Sequence, residues 1–274
     1  MKKKWVAYPY ILWMTVFVVL PLLLIFFQSI VEFDGNGYYF TFKNIRRVFE
    51  PLYLSVIFRS IKLAAISTGI CLLLGYPLAY IVANWDSKHN GNMIMLFIIP
   101  MWVNFLARTY AWVALLKKDG IIEAMLKGLG FAPLNVLYTQ NAVIVGMVYN
   151  FLPFMIMPIY SSLRKIEESH IEAASDLGAH PMTIFIKIIL PKSLSGVMSG
   201  INMVFMPALT TFVISRLLGG GQYMLLGNLI EEQFLLTGDW GFGSALSIVL
   251  IVFILISMFV MSKYDDEGGE GKLW

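Results

Sequence analysis

Charge-poor apolar runs recur along this chain at lengths close to the 20 or so residues that cross a hydrocarbon core. They fall at about residues 6–30, 63–85, 93–116, 135–161, 193–215 and 241–262. The pattern predicts an all-α integral membrane protein with six transmembrane helices within residues 1–262, and a short acidic tail over 263–274. Lys2, Lys3 and Lys4 ahead of the first run imitate a signal peptide. The run from Trp5 to Val31 is uncharged throughout, however, and outlasts the roughly 7–15-residue core of such a peptide. It reads as a retained first span. The third window contains Arg108, which lies about 24 Å along a helix counted from Asn92. That places it near the far interface beside Tyr110 and Trp112, where an arginine either snorkels to the headgroups or serves a substrate path, snorkelling being the preferred reading.

The polar connections differ in character. Between Glu32 and Lys62, an Asp34-Gly35-Asn36-Gly37 turn leads into Phe42, Ile45, Val48 and Phe49 interleaved with Lys43, Arg46 and Arg47. That spacing fits a helix lying at the interface. A second amphipathic element carries Ile121, Ile122, Met125, Leu126 and Leu129 on one side. The longest charge-bearing stretch between two apolar runs is EAASDLGAHPMTIFIKIILP, residues 172–191, within a loop over 164–192. Ser169 and Glu172 stand in the relation of a capping box, so a helix is expected to start there. Gly178 suits a left-handed helix stop, and Pro181 suits the first turn of the next helix. Pro191 is expected to end that second helix. The result is a protruding helical hairpin, a handle for a soluble partner.

Composition narrows the chemistry. Charged residues make up 14% of the chain and hydrophobic ones 58%, with mean hydropathy +0.75. A soluble domain carries about a quarter charged residues, so the membrane reading stands. The net charge of +3 includes no dense basic run, which argues against nucleic-acid binding. Cys71 is the only cysteine, which excludes an intrachain disulfide and a cysteine metal cluster. His89, His170 and His180 have no partner ligands at metal spacing, and the two in the hairpin region read as solvated. No catalytic constellation is present. Gly219-Gly220-Gly221 is not followed by Gly-Lys-Ser/Thr, so it is no phosphate loop. If nucleotide energy is used, another chain binds the nucleotide.

The spans hold no Asp, Glu, Lys or His at mid-depth, which disfavours a stand-alone ion-coupled carrier. They do hold Asn104, Asn150, Asn202, Thr210 and Thr211, together with Pro153, Pro158 and Pro207. A kink at Phe205-Met206-Pro207, with Thr210 and Thr211 beyond it, either lines a path or gate or is ordinary packing around a proline. Glu231, Glu232 and Asp239 either attract a cation at one mouth of a path or are simply solvated. Lys and Arg divide almost evenly between the two sides, so charge leaves the orientation open; the lysine triplet favours an inside N-terminus.

Glu172-Ala173-Ala174, Gly178, Ile188, Leu190 and Pro191 match the spacing EAA-x3-G-x9-I-x-L-P at every position. This resembles the signature loop of permease subunits in binding-protein-dependent ABC importers. Residues 74–80, 108–112, 152–158, 217–220 and the segment from Asn44 to Tyr53 resemble the spermidine/putrescine subgroup. The resemblance implies the type I importer permease fold, with the loop cytoplasmic and docked as a coupling helix on an ATPase, hence both termini inside. It also implies an assembly in the bacterial inner membrane with a second, homologous permease, two ATPase subunits holding ATP-Mg, and an extracytoplasmic polyamine-binding protein. This chain would bind no cofactor and form half of the polyamine path. Another small ligand, such as an amino acid, an organic cation or ferric iron, is the alternative cargo.

Overall fold

The structure is a computed structural model that describes residues 8–33, 37–85, 90–130 and 135–265. Lys2–Lys4, Lys88, His89, the Asp34–Asn36 part of the expected turn and residues 266–274 of the expected tail lie outside these residues. The described chain is helical apart from one small hairpin. The helices, in order, are α1 (Tyr8–Ile30), α2 (Lys43–Val48), α3 (Pro51–Ala83), α4 (Asn90–Trp102), α5 (Phe105–Leu116) and α6 (Ile121–Gly128). They continue as α7 (Gln140–Leu163), α8 (Glu168–Asp176), α9 (Pro181–Thr210), α10 (Val213–Leu218), α11 (Leu226–Glu232) and α12 (Trp240–Asp265). Strands β1 (Val31–Phe33) and β2 (Tyr38–Phe40) pair antiparallel, Glu32 opposite Tyr39.

Five of these helices, namely α1, α3, α7, α9 and α12, are long and apolar enough to cross a membrane. The helix pair Met93–Trp102 and Phe105–Gly128, bent by 94°, passes the same test only when taken together, as a broken span or a re-entrant loop. The continuous third helix expected from sequence is therefore broken. Asn104 explains the break, because its backbone leaves the helical region (φ −50°, ψ 132°) and its Oδ1 accepts hydrogen bonds from the Leu106 and Ala107 N–H groups. An asparagine that caps a new helix start satisfies donors that the bilayer cannot. Other boundaries also move. α3 begins at Pro51 rather than 63, since Arg59 and Lys62 shorten the apolar window without disturbing the helix. Lys263–Asp265, assigned to the tail from sequence, continue α12.

The fold divides into two units, one of residues up to 58 with 226–255, the other of residues 59–225 with the chain from 256 onward. In the first unit, α1 buries only Ser29, and the hairpin and α2 follow it. Lys43 Nζ donates to Glu32 Oε1 at 2.8 Å, and the Tyr39 hydroxyl donates to Glu32 Oε2 at 3.1 Å. Lys43 first, then Tyr39, hold the Glu32 carboxyl below its ordinary value of 4.5.

The second unit is built on the seam between α7 and α9, its most extensive helix–helix contact. Gly196 and Gly200 make the close approach possible. A Cβ on Gly196 would lie 2.6 Å from the Pro158 carbonyl oxygen, and one on Gly200 would lie 2.8 Å from Met155 Sδ. Gly-Val-Met-Ser-Gly is thus a G-x-x-x-G motif in use, with backbones brought together where lipid supplies no hydrophobic drive. Ser162 Oγ, 3.3 Å from both the Lys192 carbonyl and Ser195 Oγ, fastens one end of the seam.

Gly196→Val is expected to destabilise the protein by about 1–3 kcal/mol through overpacking, read as a lowered melting temperature in detergent. The acid limb of the Glu32 link has a definite sign. Because the folded pKa is lowered, its stabilisation is present above 4.5 and is lost as pH falls through the folded value. Amide exchange across the hairpin is expected to speed up in that window, and Glu32→Gln is expected to remove the dependence.

Candidate functional site

The hairpin over 164–192 can be built residue by residue. α8 starts at Glu168 with Glu167 as its cap residue, and no side chain caps it. The expected Ser169–Glu172 capping box is absent, because Ser169 already lies inside the helix and its Oγ turns to Glu167 Oε2 at 3.3 Å. The far end of α8 is closed by the backbone. Gly178 adopts φ +76°. Its N–H donates to the Ser175 carbonyl, and the Ala179 N–H donates to the Ala174 carbonyl at 3.0 Å. These two bonds form a Schellman motif, which needs a left-handed residue at that position. The four-residue interval from Ala174 to Gly178 is thereby explained.

His180 then caps α9, its Nδ1 accepting from the Met182 N–H at 3.3 Å, with Pro181 in the first turn. Although exposed, it holds a structural role that composition did not reveal. Pro191 does not end the helix. α9 runs through it to Thr210, and the five residues Phe185–Ile189 form a π-turn in which the Leu190 N–H donates to the Phe185 carbonyl. Proline cannot donate to the carbonyl four residues back, and its ring presses on that group. A locally widened turn just before Pro191 accommodates both demands.

Glu172, Ala173, Gly178 and Pro191 are exposed, while Ala174, Ile188 and Leu190 are half-buried. Two apolar side chains at the hairpin tip face outward, Leu177 at 88% and Met182 at 60% exposure. Ile184 and Ile189 are buried at its root. An open cleft of about 980 Å³ runs beside the root along the α7–α9 seam, lined by Ser161, Lys165, Glu167, Lys192, Ser195 and Ser199 among others.

The candidate path residues lie further along α9. Phe205, Met206, Pro207 and Thr210 are half-buried and Thr211 is buried. The helix continues through Pro207, and the break comes at Thr211, which is extended (φ −64°, ψ 134°). Thr210 Oγ1 donates to the Met206 carbonyl at 3.1 Å and lies 3.4 Å from that of Pro207, satisfying groups at the frayed end.

The three candidate carboxylates separate. Glu231 and Glu232 sit half-buried in the last turn of α11. Asp239 accepts from Arg47 Nη1 at 2.7 Å and from the Phe242 N–H at 3.1 Å. The Arg47 guanidinium lies 4.1 Å from the Phe242 ring centroid and donates to the Tyr53 hydroxyl. The Asp239 charge is therefore engaged by its own chain. Among the described residues no group of three His, Cys, Asp or Glu could hold a metal ion.

A family model described as "Binding-protein-dependent transport system inner membrane component" matches residues 75–266. The chain belongs to this family. The permease is 39% identical over 253 residues to the spermidine/putrescine transport system permease protein PotB of Haemophilus influenzae, covering 90% of this chain and 88% of that one. PotB of Escherichia coli K12 gives the same identity and covers 90% and 92%. Among solved structures, the permease superposes on a bacterial alginate ABC transporter in complex with an alginate pentasaccharide-bound periplasmic protein. The TM-score is 0.75 at 17% identity, with 96% of each chain covered. The methionine ABC transporter MetNI gives a TM-score of 0.59 at 16% identity, covering 80% and 97%. At those identities the structural matches carry the fold alone. As an inner-membrane transport component, the permease is multi-pass and non-catalytic.

Valine at position 178 meets steric strain in the left-handed region, while asparagine tolerates it. Gly178→Val is expected to open the α8–α9 turn to limited proteolysis, and Gly178→Asn to leave it close to wild type.

Proposed function

We propose that this permease forms half of the translocation path of a spermidine/putrescine importer, with its hairpin docking on a separate ATPase subunit. The observation that carries the cargo is 39% identity to PotB permeases across nine-tenths of the chain. The docking reading is supported by the hairpin itself, a rigid element fixed at Gly178 with Leu177 and Met182 exposed at its tip. Apolar side chains on a stiff projection fit a groove in a soluble protein better than they fit water.

In this reading the hairpin and both termini are cytoplasmic, and the permease is paired with a second, homologous permease. ATP-Mg is bound and hydrolysed by the ATPase dimer, and an extracytoplasmic polyamine-binding protein delivers the substrate. Closure of the ATPase dimer draws the two hairpins together and rocks the spans from inward- to outward-facing. The residues assigned to ATPase coupling are Glu172, Ala173, Ala174, Gly178, Ile188, Leu190 and Pro191. Phe205, Met206, Pro207, Thr210 and Thr211 belong to the path or its gate. Glu231, Glu232 and Asp239 place negative charge at the mouth, where it draws a polyamine, with the Asp239 carboxylate also held by Arg47.

Aspartate, like asparagine, tolerates the backbone at 178, so Gly178→Asp tests docking rather than folding. In proteoliposomes holding the full complex, Gly178→Asp is expected to abolish spermidine uptake and ATPase stimulation while membrane insertion persists. Full transport by that variant rules out the coupling role. Competition of labelled spermidine uptake by putrescine, an amino acid and ferric iron checks the cargo. Inhibition by the amino acid or iron alone, without effect of putrescine, rules out the polyamine assignment.

A further inference from the structure

The root of the hairpin is gripped from a second side. Tyr76 and Tyr80 stand one turn apart on α3 and so share a face. The Phe185 ring meets both edge-on, at 5.9 Å and 88° from Tyr76 and at 5.6 Å and 87° from Tyr80. Phe185 is the first residue of the π-turn. The Tyr76 hydroxyl is also 2.9 Å from Ser193 Oγ, beyond Pro191. Ser193 Oγ donates its single hydrogen to the Leu190 carbonyl at 3.0 Å, so Tyr76 is the donor in that pair. Tyr76 therefore holds α9 on both sides of the π-turn, at residues 185 and 193. Arg164 Nη1, 3.4 Å from the Ala83 carbonyl, adds a contact from the end of α7 to the end of α3.

A hairpin joined to the membrane domain only through α9 could yield at the π-turn, because a five-residue turn is a local departure from the α-helical ladder. The ring contacts remove that freedom. We infer that Phe185 is a positioning residue, which through Tyr76 and Tyr80 makes α3 move with the hairpin during each ATP-driven stroke, so that α3 receives the displacement along with the α7–α9 pair. This rests on the docking reading above. Phe185 touches neither substrate nor nucleotide in this account, and acts only by transmitting motion.

The test uses the complete importer in proteoliposomes, with labelled spermidine uptake and ATP hydrolysis measured together. Phe185→Ala is expected to assemble with the ATPase but to lower spermidine taken up per ATP by about tenfold, the scale set by losing two edge-to-face ring contacts. Phe185→Tyr, which keeps the ring, is expected to restore most of that ratio. If Phe185→Ala fails to assemble, Tyr80→Leu carries the test, since it leaves the hairpin and α9 unaltered. An unchanged ratio in the assembled variants overturns the inference. A Leu177→Cys crosslink to the ATPase separates the two failures. Its absence overturns docking and this inference with it, whereas its presence alongside an unchanged ratio overturns this inference alone.

Discussion

Two missing side chains, at Gly196 and Gly200, allow the α7–α9 seam to close. In hydrocarbon, apolar surface gains nothing by leaving lipid for protein, so helices associate through close packing and the few polar contacts they can share. The seam supplies both, with backbone against backbone at Pro158 and Met155 and the Ser162 hydroxyl at its end. Everything proposed for the hairpin depends on it. α9 is one helix from Pro181 to Thr210, so the same element packed in the seam also carries the second arm of the hairpin. A loosely seated α9 would absorb a push at its end instead of passing it on.

Charge outside the spans is handled by local pairing. In the first unit, Glu32 is met by Lys43 and Tyr39, and Asp239 by Arg47, whose guanidinium also lies over the Phe242 ring. The Arg47–Asp239 contact does two jobs at once. It neutralises a carboxylate and leaves the other Asp239 oxygen free to cap the start of α12 at Phe242. Partly exposed pairs of this kind contribute little to global stability. Their value lies in fixing where short segments such as α2 and the β-hairpin attach.

The spans and the hairpin were legible because each leaves a long or rigidly spaced trace. Twenty uncharged residues are hard to mistake, and Gly178 before Pro181 states a helix stop and a helix start in the same breath. The G-x-x-x-G at 196–200 is equally readable in the sequence, since two small residues four apart in an apolar run mark a close-packing helix face. What escaped depended on competition between neighbours. Ser169 and Glu172 have the right spacing for a capping box, yet Glu167 two residues earlier takes the cap position. Pro191 looked like a terminator because a strict α-helix excludes it, and nothing in composition announces that the preceding turn will widen. Asn104 looked like a polar residue within a span, and its role in breaking that span appears only once its backbone angles are known. The Arg47–Asp239 pair joins residues 192 positions apart, a distance no local pattern spans.

The widened turn at Phe185–Ile189 also fixes an angle. Each residue of an α-helix advances the chain by about 100° around its axis. A turn holding one residue more than usual therefore sets the azimuth of everything before it relative to everything after it. Shortening that turn by one residue would preserve the hairpin tip and the seam, yet swing the tip around the α9 axis by more than a quarter of a circle. The fixed interval between Gly178 and Ile188 is then more than a length. It is a compass bearing, pointing Leu177 and Met182 in one direction out of many.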